Sequence, residues 1–279
     1  MHLANGQVTP MCAVYGAGIA VLGACVGLAA ARAARRPDAL KFAAATGFVF
    51  AMQAFNVPVL PGVSGHLIGG MLLAYWFGSG LGFAAMSMVL LVQSLLLGDG
   101  GLSTLGLNVL NMAIVPCLVV YPIWKRLAGN SHGAMRWASL GVAAYASTLL
   151  AAIACTIELG SLAALKPMLL THGAIGLIEV TITLAAIAVC DRASERLAPV
   201  GVGLAMVAAA FGSSPWPDGL EYSASIARLS ENVSGWIGQV ASLQSMTTSL
   251  LSGTAALLIG ATLASAGAWV MGRVARVRG

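Results

Sequence analysis

Two residues at the very start of this chain could do metal chemistry without help from any fold. In Met1-His2 the α-amine, the backbone nitrogen of His2 and its imidazole Nδ1 can close fused chelate rings around one ion. A fourth nitrogen would complete a square plane, a geometry that suits Ni²⁺ or Cu²⁺ rather than tetrahedral Zn²⁺. No basic start or small-residue cleavage site marks a signal peptide. Met1 is therefore expected to be the mature N-terminus, and the large His2 should hinder its removal. A start sequence can also supply such a histidine by accident, so a second donor is needed.

His66, in Val63-Ser64-Gly65-His66-Leu67-Ile68-Gly69-Gly70, is the candidate. It falls near the start of a predicted span, and an ionisable residue inside a span is a functional hypothesis by default. The alternative is a histidine bonded to a neighbouring carbonyl. His172 and Glu179 are one heptad apart on one predicted helix face. They could orient a ligand imidazole, line the ion's path, or equally satisfy each other. Gln53, Asn56, Gln93, Asp99, Asn108 and Asn111 gather at or near predicted span ends. Such side chains could fix imidazole tautomers or cap helices. His132 reads as a solvated loop residue.

The elements that must position these residues are membrane helices. Of 279 residues 59% are hydrophobic and 8% charged, and the mean hydropathy is +0.90; soluble domains carry about 25% charged residues. A basic excess of +5 in such a chain bears on loop placement, not on nucleic acid, and no nucleic-acid partner is expected. Five cysteines, Cys12, Cys25, Cys117, Cys155 and Cys190, lie in apolar runs without a CxxC pair. They read as small hydrophobes, as the scattered methionines read as packing.

About nine spans of the needed length are predicted, at 10–31, 39–57, 63–79, 81–98, 103–122, 138–158, 167–190, 197–212 and 248–271. The expectation is an all-α polytopic membrane protein. With the N-terminus outside, twelve basic residues (Arg32, Arg35, Arg36, Lys41, Lys125, Arg126, Arg136, Arg192, Arg196, Arg273, Arg276, Arg278) fall inside and two (Lys166, Arg228) outside. That is the positive-inside bias, with the C-terminus cytoplasmic. Gly23-xxx-Gly27 and Gly65-xxx-Gly69 have the spacing of close helix packing. Residues 213–246, with Pro215, Pro217, Asp218, Glu221 and Glu231, are polar by comparison and are expected outside. The division expected is a seven-span core, 1–195, and a two-span hairpin, 196–279. No phosphate-binding loop, H-E-x-x-H or G-x-S-x-G motif occurs. The chain is expected to be no enzyme.

With these residues in hand, the chain resembles the substrate-capture membrane component of energy-coupling-factor (ECF) importers for nickel and cobalt, the CbiM/NikM family. Met1-His2 with Gly6, the Val63–Gly70 stretch, Gly98-Asp99-Gly100-Gly101 running to Leu107-Asn108-Val109-Leu110-Asn111-Met112, and His172 to Glu179 carry the likeness. Residues 197–279, with Pro217-Asp218-Gly219-Leu220-Glu221, look like the small NikN-type companion, fused here as is more typical of nickel systems. The resemblance implies metal ligation by the Met1 amine, the His2 backbone nitrogen and imidazole, and His66. It implies a transmembrane coupling subunit and two cytoplasmic ABC-type ATPases as partners, and a place in the inner cell membrane. Asn5 stands where the family usually carries an acid. Ni²⁺ is the expected substrate, Co²⁺ by the same mechanism the alternative, and a self-sufficient secondary metal carrier the reading from another class. Imidazole and amine ligation predicts binding that weakens below about pH 6.

Overall fold

The structure, a computed structural model, describes residues 1–34, 37–190, 198–250 and 253–274. Arg35, Arg36, Arg192, Arg196, Arg276 and Arg278 of the charge pattern, and the expected 195/196 boundary, lie outside the described residues. The elements are α1 Pro10–Arg32, α2 Ala39–Gln53, β1 Val57–Leu60, β2 Val63–Gly65, α3 Gly70–Leu96, α4 Leu105–Ala128, α5 Gly133–Glu158, α6 Leu165–Cys190, α7 Ala198–Gly212, α8 Gly219–Ile226, α9 Gly235–Ser249 and α10 Gly253–Val274. Among the described residues six helices are long and apolar enough to cross a membrane, and α2 and α7 are shorter apolar helices.

Helix starts follow from local chemistry. Thr9 caps α1, its hydroxyl accepting from Cys12 N, with Pro10 in the first turn where no N–H is missed. Asp38 caps α2 by accepting from the Leu40 and Lys41 amides. Asp218 and Glu221 form a reciprocal capping box on α8. Inside α4 the backbone widens into π-type turns over Leu110–Val120, where Pro116 removes a helical donor.

Two expectations are corrected. The stretch from residue 63 does not begin a helix: β1 and β2 pair antiparallel, Val57 opposite Gly65, and helix resumes only at Gly70. Pro58, Pro61 and Gly62 (φ +76°) force the turn, and β-branched Val57, Val59 and Val63 favour the strands. The fold is thus mainly, not wholly, helical. Within α3, Gly78 (φ 80°, ψ 169°) leaves helical geometry, and the chain folds back on itself there. A Cβ at Gly82 would lie 2.7 Å from Ala74 N, a contact that no straight helix could bring about. The reversal separates the predicted spans 63–79 and 81–98, though the first contributes only Gly70–Phe77 as helix.

Small residues bring the helices together. α1 crosses α4 backbone to backbone at Gly16 and Gly106, and Gly23 and Gly27 receive Ile114 and Phe83. The Gly23/Gly27 pattern therefore serves packing within the chain. The rest of α1 leaves Val14, Leu22, Val26 and Leu28 exposed, as a lipid-facing helix would. α10 lies along α2, with Phe50 filling the space beside Gly260. Phe42, Phe50, Met71, Leu72, Met86 and Met112 are fully buried between these layers.

Candidate metal site

Residues 1–9 fold inward over one end of the bundle, and the main chain of Leu3 is one of the points that hold them. Its N–H donates to Asn108 Oδ1 (2.8 Å), while its carbonyl accepts from Gly101 N (2.7 Å), Thr104 Oγ1 (2.6 Å) and Asn108 Nδ2 (3.1 Å). Gly6, at φ +82°, leaves no room for a Cβ against the Asn232 backbone, whose N–H it accepts at 2.9 Å. Met1 and Leu3 are buried, and His2 is 7% exposed.

This loop delivers the Met1 amine to 3.1 Å from His66 Nε2 and 2.6 Å from Asp218 Oδ2. The His2 and His66 rings stack with centroids 5.1 Å apart. His66 Nδ1 lies 3.0 Å from the Leu67 carbonyl, so it carries the proton and leaves the Nε2 lone pair facing the amine. The alternative foreseen for His66, a bond to a neighbouring carbonyl, is thus present on one nitrogen and leaves the other available. His2 Nδ1 is 3.0 Å from Asp99 Oδ1 but without the alignment of a hydrogen bond, so both His2 nitrogens are buried and unpartnered. Among the described residues no three His, Cys, Asp or Glu side chains are grouped to hold a metal ion.

Burial works to strip the Met1 amine of its proton, but the Asp218 carboxylate outweighs it and holds the amine above its ordinary pKa of 8.0. Burial alone would raise the Asp218 pKa; the ammonium and His66 instead hold it well below the usual carboxylate range. The Met1 ammonium thus lies between a carboxylate and an imidazole.

The remaining predicted residues act on the backbone around the site. Glu179 accepts from Ile68 N (2.7 Å) and Gly69 N (3.0 Å), and Gln53 Nε2 donates to Ile68 O (2.6 Å). These groups stand just before α3, where no helical partner exists, and buried main chain must be satisfied. Glu179 and Gln53 therefore anchor the turn that carries His66. They touch no imidazole, and Glu179 does not pair with His172. His172 Nδ1 instead lies 2.9 Å from the Met168 carbonyl, and its Nε2 is buried without a partner. Asn111 donates to Glu158 Oε2 at 2.7 Å, not to a histidine. Asn108 clamps Leu3, and Asp99 alone of this group faces an imidazole.

Asp218 has no counterpart among the predicted site residues. Its Oδ1 caps α8 while its Oδ2 takes the amine, so one carboxylate serves two structures. Ser64 N bonds to Pro217 O at 2.9 Å and sets this segment beside His66. The Asp218-x-x-Glu221 spacing is that of a capping box, and nothing local in the sequence points to the amine. Gln244, on α9, also reaches this end of the molecule.

A family profile described as "Cobalt uptake substrate-specific transmembrane region" matches residues 2–197. A relative from Archaeoglobus fulgidus, carrying the fused nickel transport name NikMN, is 32% identical over 207 residues, 66% of this chain and 69% of its own. The fused nickel transport protein NikMN of Rhodobacter capsulatus is 35% identical over 117 residues, covering 40% of this chain and 33% of its own. The cobalt transport protein CbiM of Salmonella typhimurium is 40% identical over 78 residues, 28% of this chain and 32% of its own. A crystal structure of a transition metal transporter superposes with a TM-score of 0.59 at 27% identity, covering 69% of this chain and 93% of that one.

Proposed function

This chain belongs to the CbiM family and is a multi-pass membrane protein of nickel or cobalt transport, and from that premise we propose that it captures Ni²⁺ outside the cell and hands it to an ATP-driven importer. The ligands in this reading are the Met1 amine, the His2 backbone nitrogen, His2 Nδ1 and His66 Nε2. The observation that carries it is the Met1 amine 3.1 Å from the lone pair of His66 Nε2, with the His2 ring stacked alongside. Four nitrogens favour a square-planar ion, hence Ni²⁺ over Co²⁺. The fusion points the same way, since relatives bearing the fused NikMN name are named for nickel.

In this reading the six long helices, the two short ones and the reversal at Gly78 amount to nine crossings. The N-terminus and residues 213–249 then lie outside and the C-terminus in the cytoplasm, consistent with the distribution of basic residues. Residues 1–195 form the capture core and 196–279 the fused hairpin, whose Asp218 closes the site. The sequence has no phosphate loop, so energy for uphill import would come from a partner or an ion gradient; this reading takes the ECF coupling subunit and two ATPases that the family resemblance implies.

The test is binding of Ni²⁺ and Co²⁺ to the purified chain, beside His2→Ala, His66→Ala and a form with one residue added before Met1. One Ni²⁺ per chain with a low-spin square-planar spectrum, lost in all three variants, is the expected result. Preferred Co²⁺ changes the substrate and keeps the site. Tight binding that survives the N-terminal addition refutes amine ligation.

A further inference from the structure

Gln244 is 6% exposed, and its side-chain amide bonds in four directions. Nε2 donates to the carbonyls of Ser94 (2.9 Å) and Gly100 (2.7 Å). Oε1 accepts from Leu102 N (3.0 Å) and from Asn5 Nδ2 (2.5 Å). Asn5 Oδ1 in turn accepts from Ser103 N (3.0 Å) and Ser103 Oγ (2.8 Å). Four separate segments, the N-terminal loop, the end of α3, the 98–104 turn and α9, thus meet on two amides.

The polarity of this junction is forced. Ser94 O and Gly100 O can only accept, so the Gln244 NH₂ must face them. Its oxygen must then face Asn5, which has to present a donor there. A main-chain N–H and a hydroxyl meet the other atom of Asn5, which must be its oxygen. Neither amide can flip without setting acceptor against acceptor. A carboxylate at position 5 would put a second oxygen against Gln244 Oε1 and cannot supply the donor.

We propose that Gln244 is a positioning residue for metal capture: through Asn5 it pins the loop that carries Met1 and His2, so the fused hairpin governs how long the metal is held. This rests on the ligand set proposed above. The Asn5 amide and Gln244 are matched as donor and acceptor. Asn5 and Gln244 touch neither the amine nor the imidazoles. Their effect is on the loop, and through it on metal release more than on capture.

Two readouts on the full chain test this. The first is hydrogen exchange of the residue 3–7 amides in the metal-free protein; the second is Ni²⁺ dissociation into excess chelator. Gln244→Ala is expected to speed both by about tenfold, one buried hydrogen-bond junction's worth, with the rate of capture little changed. Asn5→Asp should act in the same direction. Asn5→Asp combined with Gln244→Lys should recover part of the slow exchange and slow release lost in Asn5→Asp, because an ammonium can donate to Ser94 O, Gly100 O and the new carboxylate, although Leu102 N then loses its acceptor. Exchange and release unchanged in Gln244→Ala, with only thermal stability lowered, overturn the proposal. So does a double variant no better than Asn5→Asp alone. A wild-type chain that holds neither Ni²⁺ nor Co²⁺ refutes the ligand set instead, and the pinning of the loop is then judged on exchange alone.

Discussion

At the end of the bundle that carries Met1, Asp99 and Asp218, side chains bond to the main chain of distant segments: Asn108 to Leu3, Glu179 to Ile68 and Gly69, Gln244 to Ser94 and Gly100. Around Gly78, at the opposite end, the contacts are aromatic and cationic. Phe77 meets Phe42 edge-on at 4.8 Å, Tyr75 lies 6.1 Å from Trp124, and Arg136 both stacks over Tyr75 (5.5 Å) and bonds its hydroxyl (2.8 Å). Apolar and ring contacts tolerate repacking, because they depend on volume more than direction. Hydrogen bonds to a buried main chain do not, because a lost partner leaves a desolvated group behind. The first end is built to hold a geometry, the second to hold the helices together. Substitutions at the two ends should therefore fail in different ways.

The largest effect is expected from His66→Ala or from one residue added before Met1. Each removes or displaces a nitrogen, and Ni²⁺ affinity by titration should fall at least a thousandfold, about 4 kcal/mol. Next comes Asp218. Asp218→Ala should weaken retention of the closed loop and accelerate Ni²⁺ release in stopped-flow chelation by one to two orders of magnitude, about 1.4–2.8 kcal/mol. Asp218→Asn also gives a signed pH effect. Asp218 raises the amine pKa above 8.0, so the metal competes with a firmly held proton. Without the carboxylate that proton leaves more easily, and the acid limb of the binding curve should move to lower pH. For the metal-free protein the same pair contributes stability that is full between the ordinary carboxylate pKa and the amine's ordinary pKa. That contribution is lost as pH rises through the raised value, and thermal melts against pH should show the loss.

Glu179→Gln keeps one acceptor of two, so the turn before α3 loses a bond to Ile68 N or Gly69 N. Both affinity and stability should fall, each by about 1–2 kcal/mol. The smallest expected change in binding is Phe77→Leu at the far end. Stability should drop by about 1 kcal/mol with Ni²⁺ affinity unchanged. If Phe77→Leu weakened binding as much as Glu179→Gln, the division of labour between the two ends would be wrong.

Hydropathy made most helices legible, because a lipid-facing helix such as α1 must be apolar along most of its length. The stretch 57–69 was not legible as a hairpin and loop, because its residues are as apolar as a span. Pro58, Pro61 and Gly62 carried the only warning. Met1, His2 and His66 could be singled out, since candidate donor atoms are few in a chain with four histidines, and the fold brings the three together. The polar residues near them were found, but their partners were not: Gln53, Asn108 and Glu179 bond main chain, and main chain has no sequence signature. Asp218 and Gln244 escaped for a different reason. Their partners lie more than two hundred positions away, at separations of 217 and 239 residues, and no periodicity reports such a contact.

Those two separations set a timetable for synthesis. Residues 1–7 are made well before Asp218 and Gln244, so the loop that carries Met1 and His2 must wait while more than two hundred further residues are translated and inserted. Contacts of such high order form late. A chain that stalls before residue 218 lacks the carboxylate that draws the amine in, and one that stalls before residue 244 lacks the amide that fixes the loop. Closure of the N-terminal loop is therefore a report on α8 and α9: only a chain made and folded through residue 244 can shut its first residues inside.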